Sequence, residues 1–504
     1  MTPDSLASLP WLPRPPETFT ATCLALDPTD PGCWQELVRL AGHFLDLNQL
    51  SRLAKLKRLV ASQQGSSGLI PFRLGVAAHG STDFLLPCLA ASALRHGLDL
   101  EVVVGGYDQA VSEALHPGST LRNARLDALL LALDHRGLPF SRDPLADEGP
   151  DEDAPLRHLE LIAAGFQAGS QPPTLIFQTL PPPPEPLLGH LDCRIPATLL
   201  RRIAAFNAGL RERVAGGPHL ILDVERLAAT VGLERWFDPV QWHWAKLPFA
   251  PHLLPLYAEH VVRLIAASRG QSRKCLVLDL DNTLWGGVVG DDGLEGIRIG
   301  QGDALGEAHL AVQRMALDLN QRGIVLAVCS KNDHDTALLP FRHHPDMLLR
   351  ESDFAVFMAN WNDKATNLAS MAAMLDLGVD SLVFLDDNPA ERAQVRQALP
   401  RVATPELPRD PALIPRWVMA AGYFETTALT AEDRTRAAGY RNRIQLDQIR
   451  QQHSGNLDLF LQSLEMRVRF APFDATSMGR IVQLINKTNQ FNLTTRRYSE
   501  TETS

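Results

Sequence analysis

Residues 274–285 read KCLVLDLDNTLW, and this stretch decides the fold of the central part of the chain. The run CLVL is apolar and short, which is typical of a strand buried in a parallel sheet. Asp279 and Asp281 follow it directly. In an open parallel sheet, ligands bind at the carboxyl ends of the strands. The stretch therefore predicts two carboxylates at a ligand-binding edge, although a capping Asp pair before a turn would look similar.

Three further strand ends carry polar residues of a matching kind. The segment GIVLAVCS ends at Ser330, NWNDK places Lys364 before a helix, and SLVFLDDN ends in Asp386 and Asp387. A hydroxyl and an ammonium can bind phosphoryl oxygens, and carboxylates are the ligands that Mg²⁺ prefers. Together the four places predict a magnesium-dependent phosphoryl-transfer site with an aspartate nucleophile.

The same motifs resemble the haloacid dehalogenase (HAD) superfamily. The resemblance implies that Asp279 is the nucleophile, that Asp281 is the general acid and base, and that Thr283 closes the first motif. It implies a phosphate-binding set and a Mg²⁺ site; the phosphate-binding residues are Ser330, Asn332 and Lys364, and the metal ligands are Asp279, Asp281 through its carbonyl, Asp386 and Asp387. The intervals between motifs are too short for an inserted domain of ~50 residues, so we expect an uncapped site.

The amino-acid sequence around the motifs resembles a narrower group, the FkbH-like proteins, in segments such as LAVCSKND (326–333) and FLDDNPAER (384–392). This resemblance implies that a glyceryl unit from 1,3-bisphosphoglycerate is dephosphorylated and loaded onto the phosphopantetheine thiol of an acyl carrier protein. A cysteine intermediate would suit such a transfer. Cys329 precedes Ser330 and is our candidate, with Cys275 as its rival. A small-molecule phosphatase and a non-catalytic scaffold that binds a carrier protein remain alternatives.

The region before the central domain alternates strand, helix and strand patterns, which predicts a second parallel sheet. We expect two Rossmann-like α/β domains, preceded by helices and followed by a partial α+β segment. The predicted segments are 1–69 (helical), 70–268 (α/β), 269–405 (HAD-like), 406–455 (helical connector) and 456–504 (the start of an acetyltransferase-like domain).

The N-terminal α/β domain weakly resembles SGNH hydrolases. Ser81 follows its first strand, and Asp238 and His243 lie late in it, so these three form a candidate triad. The longer Asp-to-His spacing departs from that family, and a polar residue at such a turn is most often a helix cap. Four arginines could contact an acidic carrier protein or form a solvated helix face: Arg201, Arg202, Arg211 and Arg213.

Composition limits the remaining classes of function. The 504 residues carry a net charge of −10, which does not favour nucleic acid or anionic membranes as partners. No apolar run reaches the ~20 residues that span a bilayer, and the start of the sequence lacks the features of a secretory signal. The six cysteines show no ligand-like spacing. We therefore expect a cytoplasmic protein with reduced thiols.

Overall fold

Two parallel β-sheets organise the part of the chain that the computed structural model describes. That part comprises residues 5–65, 68–141, 143, 153–169, 171–430, 433, 436 and 439–440. The chain divides into the units Met1–Arg441 and Asn442–Ser504. The second unit, the predicted acetyltransferase-like segment and most of the predicted connector lie outside the described residues.

The first sheet has five parallel strands in the order β2-β1-β3-β4-β5. Its strands are β1 (Ile70–Ala78), β2 (Leu98–Val104), β3 (Ala128–Ala132), β4 (Thr174–Gln178) and β5 (Leu220–Leu222). β1 pairs with both β2 and β3, so the strand order reverses between β1 and β3. This reversal is the place where open α/β sheets bind ligands.

Helices cover the first sheet and precede it. They are α1 (Phe19–Ala25), α2 (Cys33–Ala41), α3 (Leu47–Gln64), α4 (Leu85–Arg95), α5 (Ala110–Leu115), α6 (Thr120–Asn123), α7 (Ala154–Gln167), α8 (Leu199–Val214), α9 (Val224–Val231), α10 (Leu233–Trp236), α11 (Pro239–Ala245) and α12 (Leu254–Ser268). The helix α4 packs on both α3 and α12, and these contacts bury one apolar face of the sheet.

The second sheet has four parallel strands in the order β8-β7-β6-β9. Its strands are β6 (Cys275–Leu278), β7 (Val325–Ser330), β8 (Phe354–Ala359) and β9 (Leu382–Leu385). Every residue of β6, β7 and β9 is buried, because helices cover both faces of the sheet. Its strand order reverses between β6 and β9, where the predicted acids lie.

Six helices accompany the second sheet. They are α13 (Val289–Gly296), α14 (Ala304–Gln321), α15 (His334–His343), α16 (Lys364–Met374), α17 (Pro389–Ala398) and α18 (Ile414–Ala421). The helix α18 joins the cores of the two sheets. Ala421 packs in the cluster of the first sheet, whereas Ile414 and Val418 pack in that of the second.

No helix within the described ranges is both long and apolar enough to cross a lipid bilayer.

Candidate active site

The predicted acids meet at the carboxyl end of the second sheet. Asp279 follows β6, and its backbone N–H donates to the carbonyl of Leu385 at the end of β9 (2.9 Å). This bond holds the two strand ends side by side. Carboxylate oxygens of Asp279, Asp386 and Asp387 consequently lie within 4.8 Å of one another. Asp279 and Asp386 are buried and Asp387 is exposed, so the cluster opens to solvent on one side.

Lys364 lies between two of these acids. It is the first residue of α16, which Asp363 caps by accepting from the N–H of Thr366 (2.9 Å). Its Nζ lies 3.0 Å from Oδ1 of Asp279 and also contacts Oδ2 of Asp386. The ammonium is only 3% exposed, so this attraction is little screened by water.

Burial and charge perturb the acids of the site. Burial raises the pKa of Asp279 to about 7, and Asp386 adds to this rise, while Lys364 and a hydrogen bond from Ser330 oppose it. Burial and the neighbouring Asp386 also raise the pKa of Asp387. Burial alone would lower the pKa of Lys364, but the two carboxylates beside it outweigh burial and raise that pKa.

This donor set fits a magnesium ion. Three carboxylates converge, whereas Lys364 alone lies between two of them, so negative charge remains uncompensated. Hard oxygen donors of this kind suit Mg²⁺. Asp279, Asp386 and Asp387 are the residues that would hold the ion. The predicted contribution of the Asp281 carbonyl stays a prediction.

The side chain of Asp281 binds a loop that we call the flap, residues 286–298. Its Oδ1 accepts from Nε1 of Trp285 and from the backbone N–H of Val289, each at 2.9 Å. Its Oδ2 accepts from the Nδ2 amide of Asn332 at 3.0 Å. Sequence reasoning places Asn332 among the phosphate-binding residues. The structure instead directs its amide to Asp281, so the phosphate-binding role is not favoured by this contact.

A tight turn starts the flap. Asn282 adopts a left-handed conformation (φ 55°), and its Oδ1 accepts from the N–H of Gly287 at 3.0 Å. Gly286 and Arg298 then exchange two backbone hydrogen bonds of 3.0 and 2.7 Å, which close the base of the flap. The preceding Thr283 is buried and its carbonyl contacts the ring of His309 (3.1 Å).

The site has no cap domain within residues 171–430, as the motif spacing predicts. The connection from β6 to β7 contains the flap, which includes α13, and the helix α14. The connection from β7 to β8 contains α15 and one short 3₁₀ turn. The carboxyl edge of the sheet is therefore reached directly from solvent.

Neither candidate cysteine lies in an environment that favours a thiolate. Cys329 is fully buried, and its Sγ contacts the carbonyl of Lys364 at 4.0 Å. Burial raises the pKa of Cys329 to about 12, and it also raises the pKa of Cys275. The nucleophilic form of a thiol is the thiolate. The acyl-relay role of Cys329 stays a prediction, which its geometry does not favour.

In the candidate triad of the first sheet, the side chain of the acid, Asp238, serves as a helix cap. Asp238 caps α11 by accepting from the N–H of Gln241 at 3.0 Å, which is the capping role that sequence reasoning leaves open. His243 is exposed on the same helix. The backbone N–H of Ser81 donates to the carbonyl of Lys246 at 2.9 Å. Hydrolysis by these residues stays a prediction without support from these contacts.

A different pair of residues meets at the strand reversal of the first sheet. His79 follows β1 and Asp134 follows β3, and the His79 Nε2 lies 2.8 Å from Oδ1 of Asp134. Burial would raise the pKa of Asp134, but His79 and Arg136 outweigh it and hold that pKa well below its usual range. Sequence reasoning missed this pair. A polar residue just after each of two buried strands was the available signal.

Of the four arginines, only Arg201 is exposed without an ion pair to a described residue, and the other three are buried or paired. Arg202 is buried, and Arg211 and Arg213 pair with Glu225 (2.7 Å) and Glu160 (2.5 Å). Carrier-protein docking on them is therefore not favoured.

The sheet order, the three acids and the lysine between them are consistent with a HAD-like phosphatase domain. The chain is similar in structure to the N-terminal part of the protein BF1531 from Bacteroides fragilis, which contains a phosphatase domain and was crystallised in complex with Mg. The TM-score is 0.69 and the sequence identity 29%, and the match covers 76% of this chain and 100% of the other. No family model matches the chain, and no curated protein matches it.

Proposed function

We propose that the chain is a magnesium-dependent phosphatase that acts through a phosphorylated Asp279. One observation carries this proposal: Asp279 lies within 4.8 Å of two further carboxylates and 3.0 Å from the buried ammonium of Lys364. The similarity to a phosphatase domain that binds Mg supports it.

The residues of the site suit two successive transfers. A carboxylate oxygen of Asp279 attacks the phosphorus, and the bond from phosphorus to the leaving oxygen breaks as Asp281 gives that oxygen a proton. Water then attacks the phosphorus of the aspartyl-phosphate and its proton passes to Asp281, while the bond from phosphorus to the Asp279 oxygen breaks and phosphate leaves. Ser330 and Lys364 bind the phosphoryl oxygens. Mg²⁺, when bound, supplies positive charge against the transferring group.

We further propose that the substrate is a glyceryl unit destined for a carrier protein. In this reaction the thiol of phosphopantetheine attacks the acyl phosphate of 1,3-bisphosphoglycerate, phosphate leaves carbon 1, and the Asp279 site removes the 3-phosphate. Support comes from the resemblance of the motif sequences to FkbH-like proteins and from the uncapped carboxyl edge of the second sheet. Trp361 is 76% exposed three residues before Lys364, which suits contact with a large partner. Since Cys329 is buried, direct transfer to the carrier thiol fits better than a cysteine relay.

The first test measures phosphate release. The purified full chain with Mg²⁺ is expected to release phosphate from phosphate monoesters. Asp279→Asn should lower the rate by more than about 10³-fold, because it removes the nucleophile. Asp318→Asn, a matched change at an exposed position of α14, should not. Retained release by Asp279→Asn would reject this nucleophile.

The second test measures loading. A phosphopantetheinylated carrier protein is incubated with the chain, Mg²⁺ and enzymatically generated 1,3-bisphosphoglycerate, and its intact mass is determined. A glyceryl adduct supports loading. Phosphate release without an adduct supports a small-molecule phosphatase, and neither product supports a non-catalytic scaffold.

A further inference from the structure

An ion pair lies at the rim of the proposed phosphatase site. The Nζ of Lys331 is 2.7 Å from Oε1 of Glu391. The two side chains are 36% and 15% exposed, so solvent reaches the lysine. Pairs exposed to this degree contribute little to stability. The pair therefore adds little to the stability of the fold, and its position decides what it can bind.

The sheet order places this pair across the site. Lys331 follows Ser330, the last residue of β7, and Glu391 lies in the first turn of α17, which follows β9. The strands β7 and β9 are the two neighbours of β6. The pair therefore links the loops on either side of the strand that carries Asp279.

Lys331 differs from the other cations at this edge in being accessible. Lys364 is buried between Asp279 and Asp386. Arg392 is also buried, and its guanidinium donates to the carbonyls of Asp386 and Asp387 and to Glu406. Neither is free to meet a second charged group of a substrate.

Glu391 is an incomplete partner for Lys331. Its Oε1 contacts the ammonium, but its Oε2 is a buried atom with no hydrogen-bond partner among the described residues. A carboxylate with one unsatisfied buried oxygen is held less firmly than one with both oxygens bonded. An anion that takes the place of Glu391 beside Lys331 therefore breaks a single contact of that carboxylate.

We propose that Lys331 binds a second anionic group of the substrate, and that this group exchanges with Glu391. The site then favours phosphate monoesters that carry a carboxylate or a second phosphate a few atoms from the reacting phosphorus. This inference rests on the proposed phosphatase function and specifies its substrate class.

Two esters that differ in one anionic group test the proposal. Phosphate release from 3-phosphoglycerate is compared with release from glycerol 3-phosphate, which lacks the carboxylate, using the full chain and Mg²⁺. Lys331→Met is expected to lower kcat/KM for 3-phosphoglycerate by about 10- to 100-fold, the effect of losing a charged hydrogen bond. It should change kcat/KM for glycerol 3-phosphate by less than about twofold. Lys331→Arg retains the charge and should restore most of the preference.

The partner residue gives the opposite expectation. Glu391→Gln removes the competing charge, so kcat/KM for 3-phosphoglycerate should rise by up to about fivefold. If the ion pair were merely structural, each variant would instead lower kcat/KM equally for the two esters. Equal losses for the two esters, or no loss in Lys331→Met, would overturn the proposal.

The outcome is separable from failure of the phosphatase function. If the wild-type chain releases phosphate from neither ester, that function fails, and both esters are then titrated calorimetrically into the wild type and Lys331→Met. Tighter binding of 3-phosphoglycerate that is lost in Lys331→Met supports the anion site. Equal affinities for the two esters in both proteins would refute it.

Discussion

The two aspartates of the DLD stretch differ in what surrounds them. Asp279 contacts Lys364 and lies within 4.8 Å of the other acids. Asp281 accepts from three N–H donors, which belong to Trp285, to Val289 of the flap and to Asn332. In the proposed reaction, Asp279 attacks phosphorus and Asp281 transfers the proton. The orientation of Asp281 therefore depends on residues that never touch the nucleophile.

Asn332 is expected to act as a positioning residue for Asp281. Asn332→Ala should lower kcat for phosphate release by about tenfold with little change in KM, because an acid–base group contributes only in the correct orientation. Asn332→Asp should be worse, since two carboxylates would then face each other. Gln321→Ala, at an exposed position of α14, is the control. An unchanged kcat in Asn332→Ala would show that the flap alone orients the acid.

Thiol reactivity provides a separate test at this scale. Of the six cysteines, Cys193 is exposed and the other five are buried. We expect native protein to react rapidly with a disulfide reagent at one thiol, Cys193, and Cys193→Ser to abolish that phase. Cys329 should react only on unfolding, because it is fully buried and burial raises the pKa of its thiol to about 12. Rapid labelling of Cys329, detected by peptide mass, would support its role as the acyl relay.

At the scale of elements, Gly287 is one of the constrained glycines of the flap. Gly287 has φ 94°, and a Cβ there would lie 2.6 Å from Oδ2 of Asp292, the oxygen that accepts from the N–H of Val288. A Cβ at this position must therefore displace the Asp292 carboxylate, which accepts from the N–H of Val288, the neighbour of Val289.

Gly287→Ala is expected to lower the rate of phosphate release by at least about tenfold. The change disturbs the bond between Val288 and Asp292, and with it the adjacent N–H of Val289 that orients Asp281. Gly302→Ala is the matched control. Gly302 also has positive φ (88°), but a Cβ there meets nothing within 4 Å. It should cost only the backbone strain of about 1–2 kcal/mol, measured by urea unfolding, and leave kcat intact. If both variants lose activity alike, the clash with Asp292 is not the cause.

The elements themselves were largely predictable from the sequence. The strands ending at Leu278, Ser330, Ala359 and Leu385 stand out as short apolar runs followed by polar residues. Their closeness follows from a general property of parallel sheets. Polar residues after strands were visible in the sequence, but the bond between Asn332 and Asp281 and the contact between His79 and Asp134 were not, because each pairing depends on strand order. Periodicity shows that a strand exists but does not show which strand lies beside it.

At the scale of the whole molecule, a buried ionic cluster fastens α12 to α4. Glu259 is 2% exposed and contacts Arg95 (2.7 Å) and His96 (2.8 Å). Burial would raise the pKa of Glu259, but Arg95 and His96 outweigh it and hold the pKa well below its ordinary value.

The sign of the pH dependence follows from this lowered pKa. A carboxyl group with a lowered pKa in the folded state stabilises the fold above its unfolded pKa of about 4.3 and loses that effect as the pH falls below it. Glu259→Gln should therefore cost about 3–5 kcal/mol at neutral pH and flatten the loss of stability below about pH 4.3, in urea unfolding. Glu36→Gln, in a partly exposed pair with Arg39, should cost less than about 1 kcal/mol. Equal effects would contradict the burial argument.

The two sheets also share a seam of polar contacts beside α18. Arg263 of α12 pairs with Glu425 (2.9 Å) and donates to the carbonyl of Ala420 (2.7 Å). The N–H of Arg273 donates to the carbonyl of Tyr423 (2.9 Å), and the pKa of the Tyr423 hydroxyl is raised by burial. The sequence suggested a boundary near residue 268, because a new strand begins soon after it. The seam was not visible, since its partners are more than a hundred residues apart.

This seam decides where the polypeptide can be divided. A fragment that starts near residue 269 would expose the underside of α18 that Ala421 shares with the first sheet, and a fragment that stops near 268 would lose it. Separately expressed halves should therefore be less soluble than the joined protein. A piece that keeps α18 together with both sheets preserves both apolar faces, so binding measurements belong on the joined protein.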